Sequence, residues 1–145
     1  MPAAAIPLSD DVKKLADGAN FAHLATVMSD GSPHSAPVWI GREGDRLWIC
    51  TAAGSLKAKN TARDPRVAIS MVDFTDPYIE LQIRGRVIER RPDADLKYFD
   101  ALSLKYTGQP WPYRDEESPI VLMIEITRAL YSKQPFQHTP PAKCA

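Results

Sequence analysis

A chain of 145 residues suits one domain with a sizeable core, and 44% apolar with 25% charged residues is the balance of a globular protein rather than a disordered one. The formal net charge is zero and no block of like charge occurs, which argues against nucleic acid as the main partner, because binding a phosphate backbone needs a basic stripe. No apolar run reaches the length of a membrane span, residues 1–8 lack the basic-then-apolar pattern of a secretory signal, and Cys50 and Cys144 form neither a metal spacing nor a disulfide framework, so a reducing cytoplasm is the expected compartment.

In chain order, residues 1–9 read as an N-terminal arm, 10–132 as the folded domain and 133–145 as a proline-bearing tail outside the core. Residues 10–16 predict a short helix, capped by Ser9 or Asp10 and closed before Gly18. Residues 21–28 predict a strand, Ser29-Asp30-Gly31 a tight turn and 33–40 a second strand. Residues 42–45 read as a turn and 46–51 as a third strand, followed by a helix over 55–63 that stops before Pro65. Residues 66–72 are nearly all apolar and predict a strand buried on both faces. Residues 78–90 alternate cleanly, with Leu81, Ile83, Gly85 and Val87 on one side and Glu80, Gln82, Arg84 and Arg86 on the other. Gly85 implies a bulge or a close backbone approach, and the polar side reads as a solvated or subunit-facing surface with paired charges. Residues 92–106 predict an amphipathic helix ended by Gly108, 109–118 an irregular loop, and 120–129 the last strand. Six strands in hairpin order with three helices favour an antiparallel barrel or sandwich with peripheral helices, not a doubly wound parallel sheet. Side chains fill a small barrel, so a large ligand would lie outside it, where a second subunit is the obvious cover.

The chemistry concentrates in residues 54–60, Gly-Ser-Leu-Lys-Ala-Lys-Asn. A helix start carries partial positive charge from its unpaired N–H groups and favours acidic residues. This one offers Lys57 and Lys59 instead, which is unfavourable for an empty helix and sensible for one that holds an anion. Two lysines there can also be ordinary solvated charge. Ser55 can cap the helix or give its hydroxyl to a phosphate.

The strand–Gly-Ser-x-Lys–helix–Asp-Pro-Arg-Val arrangement resembles the pyridoxamine-5′-phosphate-oxidase-like split β-barrel superfamily. Further segments are similar to its deazaflavin-dependent branch, whose members use coenzyme F-420. These are Leu24-Ala25-Thr26 with Asp30-Gly31 and Pro33, Pro37-Val38-Trp39, residues 57–67, Asp76-Pro77-Tyr78 with residues 81–87, and Lys105-Tyr106-Thr107-Gly108. The resemblance spans roughly residues 10–130 and rests on order and spacing together. It implies a six-stranded, FMN-binding-type split barrel, working as a homodimer with cofactor sites at the subunit interface. It implies that Ser55 and Lys57 of the Ser55-Leu56-Lys57 turn hold the cofactor phosphate, with Lys59 and Asn60 as neighbours. Ser35, Ala36, Pro37, Val38 and Trp39 would lie against the tricyclic ring, and Thr51 and Ala52 beside the chain joining ring to phosphate. Relatives that use FMN carry Ser-Arg-Lys in this turn, and Leu56 removes a bidentate clamp. Fewer cations suit the phosphodiester of F-420 better than the terminal phosphate of FMN.

Tyr78 could reach a partner's cofactor. Trp111, Tyr113 and Arg114 either wall a substrate pocket or pack among themselves, and Trp39 and Trp48 serve the core, the interface or the ring. His23 reads as a structural residue, and a solitary His34 is no catalyst by itself. No acid–base pair, nucleophile triad or metal cluster stands out, so no side chain is assigned as catalytic. The expected activity is hydride transfer between reduced F-420 and a small conjugated organic substrate. An FMN-dependent oxidase or reductase, and a non-catalytic flavin- or deazaflavin-binding protein, are the alternatives.

Overall fold

In the computed structural model, which describes residues 3–142, seven antiparallel strands form one sheet flanked by three helices. The strands are β1 (Ala22–Val27), β2 (Pro33–Val38), β3 (Gly41–Glu43), β4 (Arg46–Ala52), β5 (Arg66–Val72), β6 (Ile79–Pro92) and β7 (Pro119–Lys133), and the helices are α1 (Asp10–Asp17), α2 (Leu56–Arg63) and α3 (Lys97–Thr107). The spatial order is β2-β1-β5-β6-β7-β4-β3. The two edge strands, β2 and β3, are consecutive in the chain, joined only by Trp39 and Ile40. Two residues span roughly 7 Å, so the sheet must curl until its edges nearly meet, which makes a barrel split along that seam.

Inside the curl lie Leu24, Ile40, Leu47, Ile49, Ile69, Leu81, Leu122, Ile124 and Ile126, all essentially excluded from solvent. A second cluster of Trp48, Leu102, Val121 and Met123 fills the space between α3 and the outside of β4 and β7, with Trp39, Cys50, Tyr98 and Tyr106 packed against it. The strands buried on both faces are therefore β4 and β7, not residues 66–72. In β5 only Val67, Ile69 and Met71 are buried, while Ala68 and Ser70 face outward. Apolar sequence there reflects small residues on an open face, not a double burial.

Three further expectations need correction. Arg42 and Glu43 are not turn residues: they pair with Leu47 and Arg46 in a short hairpin whose turn is Gly44-Asp45, with Gly44 at φ 62°. This raises the strand count from six to seven. The helix expected from residue 92 begins at Lys97. Asp93 is only 2% exposed, and its carboxylate accepts from the backbone N–H groups of Tyr98 (3.1 Å) and Phe99 (3.0 Å), so residues 93–96 form a turn held by a buried cap. The N-terminal segment is not outside the core: Ile6 N–H donates to Ile126 O at 2.9 Å, and Leu8 is buried in the main cluster. The tail beyond β7 docks by Gln134 N–H on Tyr78 O (2.9 Å) and by Phe136 on the Tyr78 ring, and Cys144 lies outside the described residues.

Gly85 shows both features foreseen for it. The β6–β7 register shifts between Arg84 and Gly85, and a Cβ at Gly85 would stand 2.3 Å from Glu125 O. Among the described residues no helix is long and apolar enough to cross a membrane.

Candidate functional site

The turn from β4 into α2 is built around one hydroxyl. Ser55 caps α2 by accepting from Ala58 N–H at 3.2 Å, and it also accepts from the Thr51 hydroxyl at 2.7 Å. With both lone pairs taken, the Ser55 proton is left to be donated outward. The first turn of α2 holds no acidic residue. Lys57 is half-buried, and loss of solvent pulls its ammonium below the ordinary lysine value. Among the described residues no carboxylate lies within ion-pair distance of it. A desolvated cation without a counter-ion costs stability and is repaid when an anion arrives.

Lys57 lies at the border of a pocket of about 330 Å³ between β2, β4 and α3, within the size range of small-molecule sites. Pro37, Val38 and Trp39 line it together with Phe21, Cys50, Phe99, Leu102 and Trp111. Trp39 is held flat by stacking on Tyr106, with centroids 5.2 Å apart and planes within 6°. Tyr106 is fixed in turn, since its hydroxyl donates to Asn20 O (2.6 Å) and accepts from Ile40 N–H (3.2 Å). The neighbouring Lys105 ammonium donates to Ala16 O and Ile40 O, each at 2.7 Å, stitching α3 to α1 and to the β2–β3 link. Burial pulls its pKa down to about 8. Trp111 stands edge-on to Trp39 (6.1 Å) and tilted against Phe99 (5.2 Å). Its loop is pinned by Asp100, which accepts from Trp111 N–H and from Arg114, and by Glu116, which accepts from the indole N–H at 3.1 Å. Burial, then the charge of Asp93, pushes the Cys50 thiol far up, so Cys50 is a neutral wall and not a thiolate nucleophile.

The structure thus gathers Pro37, Val38, Trp39, Lys57 and Trp111 around one space, with Ser55 and its supporting Thr51 at the head of α2. The other candidates are not in the lining of this pocket. Asn60 is 2% exposed and gives its amide to Thr26 Oγ1 and the Met28 sulfur, so it faces β1 rather than the mouth of the turn. Lys59 and Leu56 are exposed, Ala52 pairs with Pro119, and Ala36 with Leu24. Ser35 opens onto a different cavity on the outer face of the sheet. Tyr78 packs on Phe136 and His138, away from the pocket. Tyr113 is 61% exposed and touches the site only through Trp111. His23 is exposed on the outer face and is no core residue. Phe21, Cys50, Phe99 and Leu102 join the pocket without having been singled out. The apolar stripe of α3 was the available signal for Phe99 and Leu102, but nothing in a stripe says which neighbour it meets.

Residues 8–131 match the family model described as Pyridoxamine 5′-phosphate oxidase. Among solved structures the chain is similar to an F420 reductase, at 26% identity over 85% of this chain and 98% of that one, with a TM-score of 0.78. It is also similar to a conserved hypothetical protein from Mycobacterium tuberculosis (21% identity, 99% of this chain, 98% of that one, TM-score 0.71). A third is General Stress Protein 26 from Bacillus anthracis str. Sterne (21% identity, 85% of this chain, 92% of that one, TM-score 0.67). No curated protein matches the chain.

Proposed function

The chain belongs to the pyridoxamine 5′-phosphate oxidase family, and from that premise we propose that it is an oxidoreductase of the deazaflavin branch, moving a hydride between reduced coenzyme F-420 and a small conjugated organic substrate. The observation that carries this reading is Lys57: a half-buried cation at the edge of an aromatic-lined pocket, at a helix start without acidic residues. That donor set fits a ligand with an anionic tail and a flat apolar head. The similarity to an F420 reductase supports the choice of coenzyme, and so does Leu56, which leaves the turn one cation fewer than a terminal phosphate would ask for.

In this reading Lys57 and the Ser55 hydroxyl hold the phosphate, aided by the N–H groups at the start of α2. Pro37, Val38 and Trp39 form a rigid shelf for the ring, whose plane Tyr106 sets through the Trp39 stack. Leu102, Phe99 and Cys50 keep water from the reacting face, which strengthens the electrostatics there. Trp111 and Tyr113 border the place left for substrate. The bound coenzyme supplies the two-electron chemistry, which accounts for a pocket whose protein groups orient and exclude rather than exchange protons. The working unit is a homodimer in the cytoplasm, with the partner covering the open side of the pocket.

The test is a paired titration of the protein with F-420 and with FMN, followed by fluorescence. Saturable quenching by F-420, with FMN much weaker, is the expected result. Tighter binding of FMN would move the site to flavin chemistry, and no binding of either would remove the functional reading.

A further inference from the structure

We infer that Glu116 is a positioning residue for the Lys57 pocket: it holds the Trp111 side chain in one orientation and thereby fixes the space in which a substrate is selected. The loop after α3 carries three consecutive acids, Asp115, Glu116 and Glu117. Asp115 and Glu117 are exposed, whereas Glu116 is half-buried within a run of exposed residues. Among the described residues it forms no ion pair. Its carboxylate accepts instead from the Trp111 indole N–H at 3.1 Å. An indole has that one donor and no acceptor, so this bond settles which way the ring faces.

Trp111 is held twice, at its backbone and at its ring, by different residues. Its backbone N–H donates to Asp100 Oδ1 at 3.0 Å, and its carbonyl accepts from Arg114 at 3.0 Å. Arg114 in turn bonds Asp100 at 2.7 Å, so this clamp closes on α3 without Glu116. The far end of the loop is fixed where Ser118 O accepts from Ala53 N–H at 2.9 Å, in the turn that leads to Ser55. Ser118 stands at φ 48°, a left-handed conformation that a residue with a Cβ keeps only where its surroundings enforce it. A fixed backbone still leaves the side-chain torsions of a tryptophan to be chosen. Trp39, Phe99 and Tyr113 meet the Trp111 ring at 85°, 55° and 66°, and contacts of that kind are satisfied over a broad range of separations. The bond to Glu116 is directional and charge-assisted, and it makes the choice.

Trp111 lines the pocket beside Lys57, Trp39 and Phe99, and Glu116 does not. Glu116 therefore acts through Trp111 and not on a ligand. Turning that one ring changes the shape of the pocket while Lys57 and the Trp39–Tyr106 stack stay where they are. The selection of substrates by this shape rests on the coenzyme reading of the pocket; the placement of Trp111 by Glu116 does not.

The experiment has two arms. Near-ultraviolet circular dichroism of the coenzyme-free protein reads fixed aromatic packing, and the difference between wild type and Trp111→Phe isolates the Trp111 band. Glu116→Ala should lose most of that band. Glu116→Gln keeps an acceptor oxygen and should retain it, as should Glu117→Ala. A band that survives Glu116→Ala, or that falls as far in Glu117→Ala, overturns the inference. The second arm follows oxidation of reduced F-420 by duroquinone, with one ring, and by menadione, with two. Glu116→Ala should change the ratio of their kcat/KM values about fivefold, a modest coupling, and should change nothing further when added to Trp111→Phe. Glu116→Gln should stay near the wild-type ratio, and the Kd for F-420 should be unmoved in both Glu116 variants. An unchanged ratio beside a lost band would overturn the selective role. If F-420 fails to bind the wild type, the coenzyme reading falls, and the dichroism still decides whether Glu116 places Trp111. Thermal unfolding separates a released ring from a lost fold; should Glu116→Ala not fold, Trp111→Phe, which keeps a ring and loses the N–H, must shift the ratio in its place.

Discussion

Among the described residues Lys57 and the cross-strand Arg84–Arg128 pair are cations without a carboxylate partner, yet they stand in opposite surroundings. Lys57 is half-buried beside Trp39, Phe99 and Leu102; the two arginines are exposed on a polar sheet face. A charge that has lost water gains much from one anion, because little solvent screens the pair. An exposed charge gains little alone, and reaches useful affinity only by doubling up and by fork geometry. Salt separates them, since screening acts on the exposed pair far more than on the buried lysine.

Lys57→Ala is the sharpest way to break this contrast. It should weaken the anionic coenzyme by about 1.5–3 kcal/mol, the range for a charge-assisted hydrogen bond. The pH profile gives the same answer without a mutation. Burial holds the free-state pKa of Lys57 below the ordinary lysine value, and a bound anion favours the ammonium and raises it again. Affinity is then full below the free-state pKa and falls as pH rises from there toward the pKa of the complex. Titrations from neutral to alkaline pH should show that fall in wild type and not in Lys57→Ala; a flat wild-type profile would disconnect Lys57 from the anion.

Asp93→Ala should come next, at about 2 kcal/mol of stability, from losing a buried cap and stranding the N–H groups of Tyr98 and Phe99. The damage is directional. Phe99 and Leu102 ride on α3 and line the Lys57 pocket, whereas no part of α3 lines the cavity beside Arg84 and Arg128. Urea midpoints measure the first effect, and the coenzyme titration measures the second. Lost stability with unchanged coenzyme affinity would mean that α3 supports the barrel as a whole rather than this pocket.

The same split, local against distant, decides how much the sequence discloses. The Ser9 cap, the strand–Ser55–helix turn and the lysines after it are legible because their physics lies within a few residues. So is the oddity of Gly85, whose lack of a side chain announces a close approach without naming what approaches. The partner of Arg84 is not legible. It sits 44 residues away, and a bulge resets the register just beside it, so strand alternation alone suggests charge pairing where the fold brings like charges together. The hairpin of β3 hides because Gly44-Asp45 suffices for its turn and three residues are too few to show a period. Asn60 reads as a site neighbour by its spacing from Ser55, but helical rotation turns it to Thr26 in the interior. Phe21 and Phe99 line one pocket although they lie on distant parts of the chain.

Thr51→Val is the smallest and most selective probe. Thr51 is buried at 7% exposure and touches the site only through its bond to Ser55. Valine keeps the shape and removes one hydroxyl, at a cost of about 1 kcal/mol in stability for a single neutral hydrogen bond. The cap from Ser55 to Ala58 N–H survives the change, so α2 should stay folded by circular dichroism. What changes is the direction of the Ser55 proton: with the Thr51 donor gone, the hydroxyl can turn back toward the protein instead of outward. If Ser55 donates to a coenzyme phosphate, affinity should drop severalfold. If Ser55 is a helix cap and nothing more, the stability loss will appear with no change in affinity, and the phosphate would then rest on Lys57 and the backbone alone.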